Sequence, residues 1–348
     1  MISFYPGPAK LYPQVRNYLT EAFDSQILEK NHRSNFFENL FQETCTLLKQ
    51  KLQIPDGFVI SFVSSATESW EIIAQSFTKE ESVHLVNGAF GKKWYDYAKK
   101  NHQSCKLIEY SIEESVLTRN KNFDTELIAI TQNDTSNGTQ VSNDELRTIK
   151  KLNPNTLIAI DATSSLAGVF LDFTNIDICF ASVQKCFGLP SGMAVMICSQ
   201  RAIEQAKKIN DTNFYNSYLK QLSNSLKNQT SHTPNILNIY LMNCLMKDIS
   251  PISEINKKII SQSEAWYSYF ESHSSFSLLV QNKEVRSNTV ICVQTELDLK
   301  TLFKDSENKG FLIGKGYGNW KDNCFRIANF PAINEMEIKK LKDFLNTK

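Results

Sequence analysis

Between residues 58 and 198, short runs of β-branched and aromatic residues alternate with segments whose apolar residues have helical spacing. This alternation predicts an α/β domain whose mainly parallel seven-stranded sheet is covered by helices on both faces. The predicted strands are residues 58–64, 82–87, 106–110, 127–131, 156–160, 178–183 and 193–198. The predicted helices between them are residues 67–77, 92–102, 143–152 and 201–209.

Polar and small residues follow several of these runs at the point where a strand is predicted to end. They occupy residues 64–68 after the first strand, 87–91 after the second and 131–138 after the fourth. In open α/β sheets, ligands bind beyond the carboxyl ends of the strands, and a helix that begins there favours a phosphate. Each segment is also compatible with an ordinary helix cap or turn. The pattern therefore indicates a ligand site at this edge of the sheet.

Two ionisable residues lie close to the ends of fully apolar strands. Asp161 directly follows the run 157–160, and Lys185 follows the run 178–181 after three further residues. A carboxylate at the end of a buried strand is costly unless a cation or a hydrogen-bond donor meets it. Burial of a lysine lowers its pKa, and the neutral amine is the form that makes a Schiff base with a carbonyl.

Taken singly, Asp161 is compatible with a helix cap or a turn, and Lys185 with a side chain that reaches out to solvent. Taken together, they match the protein side of pyridoxal phosphate chemistry. In that chemistry a lysine bonds to the aldehyde carbon of the cofactor and a carboxylate keeps the pyridine nitrogen protonated. The residues therefore favour a pyridoxal 5'-phosphate enzyme with Lys185 and Asp161 as its catalytic pair.

The rest of the chain is predicted to contribute flanking helices and a smaller α+β unit. Further helices are expected at residues 13–24, 36–52, 236–246, 252–270, 298–306 and 334–345, and further strands at 277–280, 289–294, 311–313 and 325–328. We expect a large domain of residues 10–250 and a small domain of residues 1–9 and 251–348. The segment 314–318 is rich in glycine, but it lacks the third glycine and the following helix of a dinucleotide site.

Charge and cysteine content bound the class of protein. The chain has 348 residues, 38 Lys and Arg against 37 Asp and Glu, which gives no electrostatic reason to expect nucleic acid as a partner. The eight cysteines form no C-x-x-C pair and suit reduced thiols in a cytoplasmic protein without a metal site. No signal peptide is evident, and no apolar run approaches the roughly 20 residues that span a bilayer. We therefore expect a cytoplasmic protein with no membrane partner.

The chain resembles the fold-type-I pyridoxal phosphate enzymes of the class V aminotransferase group, in particular the phosphoserine aminotransferase family. The resemblance covers nearly the whole length and depends on the order and spacing of several short motifs. These are Phe4-Tyr5-Pro6-Gly7-Pro8-Ala9, His32-Arg33, residues 64–68, Asn87-Gly88-Ala89-Phe90, residues 133–138, Asp161-Ala162-Thr163-Ser164-Ser165, Gln184-Lys185, Thr233-Pro234 and Arg326.

The resemblance implies a role for each matching residue. Lys185 would carry the Schiff base and Asp161 would pair with the pyridine nitrogen. The other cofactor-binding residues would be Ala66, Thr67, Phe90, Thr135, Thr163 and Gln184, together with His232 and Thr233 from the second subunit of a homodimer. The substrate-binding residues would be His32, Arg33, Arg326 and Lys315.

Three departures from the family pattern are visible. Phe90 stands where the family more often has Trp, and His232 where it usually has Asn. The His-Arg pair that usually precedes the carboxylate-binding arginine is absent, because residues 314–321 read Gly-Lys-Gly-Tyr-Gly-Asn-Trp-Lys. Lys315, Tyr317 or Lys321 is a candidate replacement, but a lysine does not copy the two-pronged guanidinium group.

The expected activity is transamination between phosphoserine and 2-oxoglutarate, a step of serine biosynthesis, with Lys185 as the proton shuttle. The alternative within the same group is an aminotransferase for a non-phosphorylated substrate, of the alanine or serine–glyoxylate or pyruvate type. A lyase that resembles cysteine desulfurases is disfavoured, because those relatives have His where Gln184 stands. A binding protein without catalytic activity is disfavoured by the presence of both Lys185 and Asp161.

Overall fold

The computed structural model describes residues 1–101, 104–119 and 121–348. The helices are, in chain order, α1 (Val15–Asp24), α2 (Asn35–Leu52), α3 (Ala66–Ser76), α4 (Ala89–Lys100), α5 (Asn143–Leu152), α6 (Gln200–Ile209), α7 (Tyr218–Ser225), α8 (Ile236–Asp248), α9 (Ile252–Glu271), α10 (Leu299–Asn308) and α11 (Glu335–Leu345). Within these described ranges, no helix combines the length and the apolar character needed to cross a membrane.

The strands alternate with the helices over much of the chain. They are β1 (Ile2–Phe4), β2 (Val59–Val63), β3 (Glu81–Val86), β4 (Ser104–Glu109), β5 (Leu127–Thr131), β6 (Asn133–Asp134), β7 (Thr139–Gln140), β8 (Leu157–Asp161), β9 (Ile178–Ser182), β10 (Ala194–Cys198), β11 (Ser277–Leu278), β12 (Val290–Gln294), β13 (Phe311–Lys315) and β14 (Cys324–Ala328). Strands β6 and β7 form a separate two-stranded hairpin.

Seven strands form one large sheet in the order β2-β10-β9-β8-β5-β3-β4. Strand β10 runs antiparallel to both of its neighbours, and the other pairs are parallel. Every residue of β5, β8, β9 and β10 is buried, because parallel strands of this kind are covered on both faces. The seven strands predicted for this sheet are all present. The predicted fold class, α/β with a mainly parallel seven-stranded sheet, is confirmed.

The two faces of the large sheet pack into separate apolar clusters. Ile158 and Ile160 of β8 belong to one cluster, and Leu157 and Ala159 belong to the other. Successive side chains of a strand point to opposite faces, so the two clusters cover the two sides of the sheet. Helix α5 packs in the first cluster and helix α3 in the second. The burial of both faces holds the strand ends in place at the edge of the sheet.

A second sheet has the strand order β1-β13-β14-β12-β11. Strand β1 pairs in parallel with β13, with Phe4 opposite Ile313, and the remaining pairs are antiparallel. The sequence predicts β11 to β14 but not β1, because three residues are too few for a period of two to be recognised. The division into a large domain, residues 10–250, and a small domain, residues 1–9 and 251–348, stays a prediction.

Helix α4 begins at Ala89, earlier than the residue 92 predicted from its apolar spacing. The backbone N–H groups of Phe90 and Gly91 donate to Asp134 Oδ2 at 3.1 and 3.3 Å. Asp134 lies on the hairpin β6–β7, so the local sequence of α4 contains no sign of this cap. The predicted end of the helix at His102 lies outside the described residues.

Candidate active site

Residues that follow β2, β8 and β9 line a cavity of about 400 Å³. Strands β2 and β9 are each antiparallel to β10, so their carboxyl ends lie at the same edge of the large sheet as that of β8. The second sheet contributes residues of β13 and β14 to the same cavity. The predicted site residues that line it are Ala66, Thr67, Phe90, Thr135, Asp161, Thr163, Gln184, Lys185, Lys315 and Arg326.

Lys185 lies on the buried segment after β9, and its amine is held by two hydroxyl groups. Its Nζ donates to Ser164 Oγ at 3.0 Å and to Thr135 Oγ1 at 3.2 Å. Burial lowers the pKa of Lys185 to about 8, although the carboxylates of Asp161 and Asp134 oppose this shift. A substantial fraction of this amine is therefore neutral near pH 8, which is the form required for a nucleophile.

Asp161 is the last residue of β8 and is buried. Its Oδ2 accepts a hydrogen bond from Trp70 Nε1 at 3.1 Å, and its Oδ1 accepts one from the backbone N–H of Thr163 at 2.9 Å. Burial raises the pKa of Asp161, while hydrogen bonds from Thr163, the positive charge of Lys185 and the hydrogen bond from Trp70 lower it. Each carboxylate oxygen therefore has one neutral donor and can accept a second one from a ligand.

Phe90 forms one wall of the cavity from the first turn of α4. The centre of its ring lies 5.0 Å from Lys185 Nζ and 5.5 Å from the ring of Tyr317, with the two rings inclined by 30°. Because Asp134 caps the backbone of this turn, the ring is attached to a fixed helix start rather than to a free turn. This wall offers an aromatic face to a planar ligand.

Arg326 lies on β14 opposite Gly314 and is buried at the edge of the cavity. Its Nε donates to the carbonyl of Lys315 at 2.7 Å, and its Nη1 donates to the carbonyl of Thr135 at 2.7 Å. Two backbone carbonyls therefore hold the plane of the guanidinium group, and neither bond uses Nη2. A guanidinium group oriented in this way suits a carboxylate ligand.

The N-terminal segment Tyr5-Pro6-Gly7-Pro8 also lines the cavity, although the sequence did not place it in the site. The backbone N–H of Ala9 donates to the carbonyl of Gln184 at 2.8 Å, which ties this segment to the residue before Lys185. A Cβ atom on Gly7 would lie 3.0 Å from Lys185 Cε, and the φ angle of Gly7 is +148°. Glycine at this position therefore lets the backbone pass directly over the lysine side chain.

Helix α3 begins at the cavity with its first N–H groups directed to polar side chains. Ser65 caps the helix by accepting from the backbone N–H of Glu68 at 3.1 Å. The N–H of Ala66 donates to Ser182 Oγ at 3.1 Å. Thr131 Oγ1, which also lines the cavity, is buried and has no hydrogen-bond partner among the described residues. Ala66 therefore lies at the cavity with its backbone N–H bonded to Ser182, and Thr131 adds an unsatisfied hydroxyl to the lining.

Four predicted residues lie away from this cavity and form a second group. They are His32, Arg33, His232 and Thr233. The Nη1 of Arg33 donates to Gln229 Oε1 and, at 3.3 Å, to Asn224 Oδ1. Desolvation lowers the pKa of His32, and the positive charges of Arg33 and His232 lower it further. These histidines and Arg33 are therefore neighbours in space, and they are absent from the cavity of their own chain.

The sequence did not identify several residues that line the cavity. These are Trp70, Ser164, Ser182 and Gly316, and the segment 5–8. Trp70 lies three residues after Thr67 on α3, so helical spacing could have placed both on one face. Ser164 lies within the motif that contains Asp161, and no local signal indicates Ser182. Thr131 and Asn133 belong to the polar segment expected at the end of the fourth predicted strand, and Tyr317 is one of the three candidate replacements for the absent His-Arg pair; all three residues line the cavity.

The glycine-rich segment 314–318 does not form a dinucleotide site. Gly314 lies within strand β13. Gly318–Trp320 forms a single 3₁₀ turn rather than a helix that could bind phosphates. A Cβ atom on Gly316 would lie 2.2 Å from the carbonyl oxygen of Trp320. The glycine at residue 316 is therefore required by a close approach of two backbone segments, which explains this motif without a nucleotide.

Comparison with known proteins agrees with this architecture. The Aminotransferase class-V family model matches residues 4–303. The chain is 27% identical over 353 aligned positions to the phosphoserine aminotransferase of Corynebacterium glutamicum strain R. This alignment covers 96% of this chain and 91% of that protein.

Solved structures lead to the same family. The phosphoserine aminotransferase of Cytophaga hutchinsonii is 34% identical with a TM-score of 0.96, over 100% of this chain and 98% of that one. The alanine–glyoxylate aminotransferase of Nostoc sp. is 19% identical with a TM-score of 0.84, over 99% and 94% of the two chains, and shows the shared fold alone. The chain therefore belongs to the class-V aminotransferase family and is an aminotransferase.

Proposed function

We propose that this aminotransferase uses pyridoxal 5'-phosphate to transfer the amino group of phosphoserine to 2-oxoglutarate, as a step of serine biosynthesis. One observation carries the proposal: Lys185, with a pKa lowered to about 8, lines the same cavity as the buried carboxylate of Asp161. A partly neutral amine and a carboxylate in one cavity are what the aldehyde and the pyridine nitrogen of the cofactor require.

The residues around the cavity fit the cofactor. Asp161 has a free acceptor position on each oxygen for a protonated ring nitrogen, and that positive charge would offset the cost of burying the carboxylate. Phe90 would cover one face of the ring, and Thr135 would bond to its phenolic oxygen. Thr163, which donates its backbone N–H to Asp161, would hold that carboxylate in position to pair with the ring nitrogen.

The phosphate group of the cofactor would lie at the start of α3. Ala66, Thr67 and Gln184 all line the cavity, and the backbone N–H groups of the first two and the side chain of Gln184 would donate to the phosphate. The Ala66 N–H now donates to Ser182 Oγ, so a phosphate there would share or replace this bond. A helix N-terminus supplies both donors and a favourable dipole for such a group.

When bound, the cofactor acts as an electron sink for the α-carbon of the amino acid. Lys185 would take the proton from the α-carbon, as a general base, and would deliver it to the carbon that the cofactor contributes as its aldehyde, as a general acid. Ser164 and Thr135 would orient the lysine amine during this transfer, because both hydroxyl groups lie within hydrogen-bond distance of Nζ. Arg326 would hold the α-carboxylate, and Lys315, His32 and Arg33 would contribute positive charge for the remainder of the substrate.

We further propose a homodimer in which His32, Arg33, His232 and Thr233 of one subunit complete the cavity of the other. Support comes from their common location away from the cavity of their own chain. Phe36 and Leu226, which are close to them in sequence, are exposed in the single chain and would be available to such an interface. All eight cysteines are free thiols, which suits the reducing cytoplasm that we propose as its location.

A single-turnover experiment tests the reaction and its substrate. The protein loaded with pyridoxal 5'-phosphate is mixed separately with phosphoserine, glutamate, serine and alanine, and the loss of the visible absorbance of the cofactor is followed. We expect the highest rate constants with phosphoserine and glutamate, and neither visible absorbance nor turnover in Lys185→Ala. Rapid reaction with alanine or serine alone would instead favour the glyoxylate or pyruvate type of enzyme.

Mixing two inactive variants tests the shared active site. Lys185→Ala retains its own Arg33, and Arg33→Ala retains its own Lys185, so a mixed dimer contains one intact site. Random exchange of subunits should restore about a quarter of the wild-type activity, because half of the dimers are mixed and each has one functional site. No recovery after verified subunit exchange would show that the two residues do not act across an interface.

A further inference from the structure

Tyr317 lies between two cationic side chains at the edge of the cavity. Its ring centre is 5.4 Å from the guanidinium carbon of Arg326 and 5.3 Å from Lys93 Nζ. Its hydroxyl oxygen accepts a hydrogen bond of 2.6 Å from Lys93 Nζ. The ring of Phe90 lies beside it, with its centre 5.6 Å from the same ammonium group. Phe90 and Tyr317 line the cavity, whereas Lys93 is exposed and contacts them from outside its lining. We call the group of Phe90, Lys93 and Tyr317 the cavity mouth.

Lys93 is a fixed cation without a counter-charge. Among the described residues no carboxylate forms an ion pair with it, whereas its neighbour Lys92 pairs with Asp96 at 2.5 Å. The ammonium group has three protons, and within the described ranges of the chain only the one donated to Tyr317 has a hydrogen-bond partner. Two aromatic rings and one hydroxyl therefore hold Lys93 Nζ in place, and two of its protons are left for solvent or a ligand.

The charges that line the cavity are mostly positive. Lys185, Lys315 and Arg326 line it, against the single carboxylate of Asp161. Arg326 suits an α-carboxylate, and Arg326 and Lys93 both lie against the ring of Tyr317, so a substrate held at Arg326 would need to extend past this ring to bring its other end to Lys93. Phosphoserine, glutamate and 2-oxoglutarate each carry a second anionic group at that end, and alanine carries none.

We propose that Lys93, oriented by the hydroxyl of Tyr317, binds the distal anionic group of the amino-acid or oxo-acid substrate and so sets a preference for dianionic substrates. This inference rests on the proposed function. It assigns a residue to the binding of the distal anionic group, for which the usual His-Arg pair is absent from this chain. An ammonium group binds a phosphate or a carboxylate as a point charge, so it accepts both substrates of one reaction cycle.

Substitution of Lys93 and its neighbour tests the inference in the loaded enzyme. The ratio of kcat/KM for phosphoserine to kcat/KM for alanine is measured in wild type, Lys93→Met and Lys92→Met. We expect Lys93→Met to lower the ratio by at least about tenfold, the usual effect of losing a hydrogen bond to a charged group, with the loss mainly in KM for phosphoserine. Lys92→Met should keep the wild-type ratio, and Lys93→Arg should restore most of it.

A binding measurement gives a second readout that does not depend on turnover. Glutarate has two carboxylates and no amino group, so its affinity by calorimetry reports the two anion sites alone. Lys93→Met and Tyr317→Phe should both weaken glutarate, and Lys92→Met should not. Equal ratios and equal glutarate affinities in Lys93→Met and Lys92→Met would overturn the role of Lys93 and leave the proposed reaction standing. A wild-type enzyme that reacts with alanine but not with phosphoserine or glutamate would overturn both.

Discussion

The Nζ atom of Lys185 and the Oγ atom of Ser164 are joined by a hydrogen bond of 3.0 Å. Ser164 is itself held through its carbonyl oxygen, which accepts hydrogen bonds from Thr289 Oγ1 at 2.8 Å and from Cys186 Sγ at 3.2 Å. Thr289 directly precedes β12 of the second sheet. The residue that orients the lysine amine is therefore held both by a residue next to that lysine and by Thr289, which lies 125 positions away in the chain.

Removal of this hydroxyl should change the titration of the lysine. In Ser164→Ala the ammonium form of Lys185 loses one of two acceptors, so its pKa should fall further below its ordinary value, by roughly one pH unit. The pH dependence of the condensation of the apoprotein with pyridoxal 5'-phosphate, followed by visible absorbance, measures this shift. Ser165→Ala is the matched control, because in the described part of the chain Ser165 Oγ bonds only to the carbonyl of Ala162, at 3.4 Å. Identical pH midpoints in the two variants would contradict the prediction.

Burial of Lys185 should also make the stability of the apoprotein depend on pH. Its pKa is about 8 in the folded state against 10.5 when unperturbed, so between these values the unfolded chain binds more protons. Stability should therefore rise with pH across this window, and the cost of the buried amine, about 3 kcal/mol at most, is present in full only below pH 8.

The variant Lys185→Met isolates this effect, because every other titrating group stays in place. We expect the variant to be more stable than wild type at pH 7 and the difference in unfolding free energy to shrink as the pH rises to 10. Urea denaturation of both apoproteins in the same buffers measures it. A difference that is constant from pH 7 to pH 10 would mean that the lysine titrates alike in the folded and unfolded chains.

The hydrogen bond from Trp70 to Asp161 should contribute to cofactor affinity. The indole N–H stabilises the ionised carboxylate, so in Trp70→Phe the pKa of Asp161 rises further and the carboxylate pairs less well with a ring nitrogen. We expect the affinity of the apoprotein for pyridoxal 5'-phosphate to fall about tenfold, which corresponds to one hydrogen bond to a charged group. Fluorescence titration measures the dissociation constant.

The matched control for this change is Trp266→Phe. Trp266 is also buried, but its Nε1 has no hydrogen-bond partner among the described residues and it does not line the cavity. This variant loses the same atoms without losing a bond to Asp161, so it should keep the wild-type affinity for the cofactor. A similar weakening in both tryptophan variants would point to a general loss of packing instead.

The loop that carries Tyr317 should be sensitive to a single added methyl group. In Gly316→Ala the new Cβ would lie 2.2 Å from the carbonyl oxygen of Trp320 and 2.6 Å from that of Cys324, so the backbone must move. We expect a loss of about 1–3 kcal/mol in unfolding free energy. Gly57→Ala, where no atom lies within 4 Å of the new Cβ, should change it by less than about 0.5 kcal/mol. Urea denaturation midpoints compare the two, and equal midpoints would count against the close contact.

The large sheet was predictable because several of its strands, such as β5, β8 and β9, are nearly continuous apolar runs bounded by turn residues. The positions of Asp161 and Lys185 followed from the same reasoning, since parallel strands present their carboxyl ends at one edge. The early start of α4 was not predictable, because its cap is Asp134 from another part of the chain. The three residues of β1 were likewise too few to form a recognisable pattern.

By itself, the sequence determined which strands form the large sheet, on which edge their polar ends meet and which two ionisable residues lie there, because the pattern of apolar residues and the backbone periodicity are local properties. Only the tertiary structure decided what each of those groups contacts. Trp70 reaches Asp161, Ser164 reaches Lys185, and Lys93 reaches Tyr317 across 224 residues of chain. A hydrogen bond tolerates a change of only a few tenths of an ångström in the distance between its two atoms. When these atoms are remote in sequence, their distance is set by the packing of whole elements.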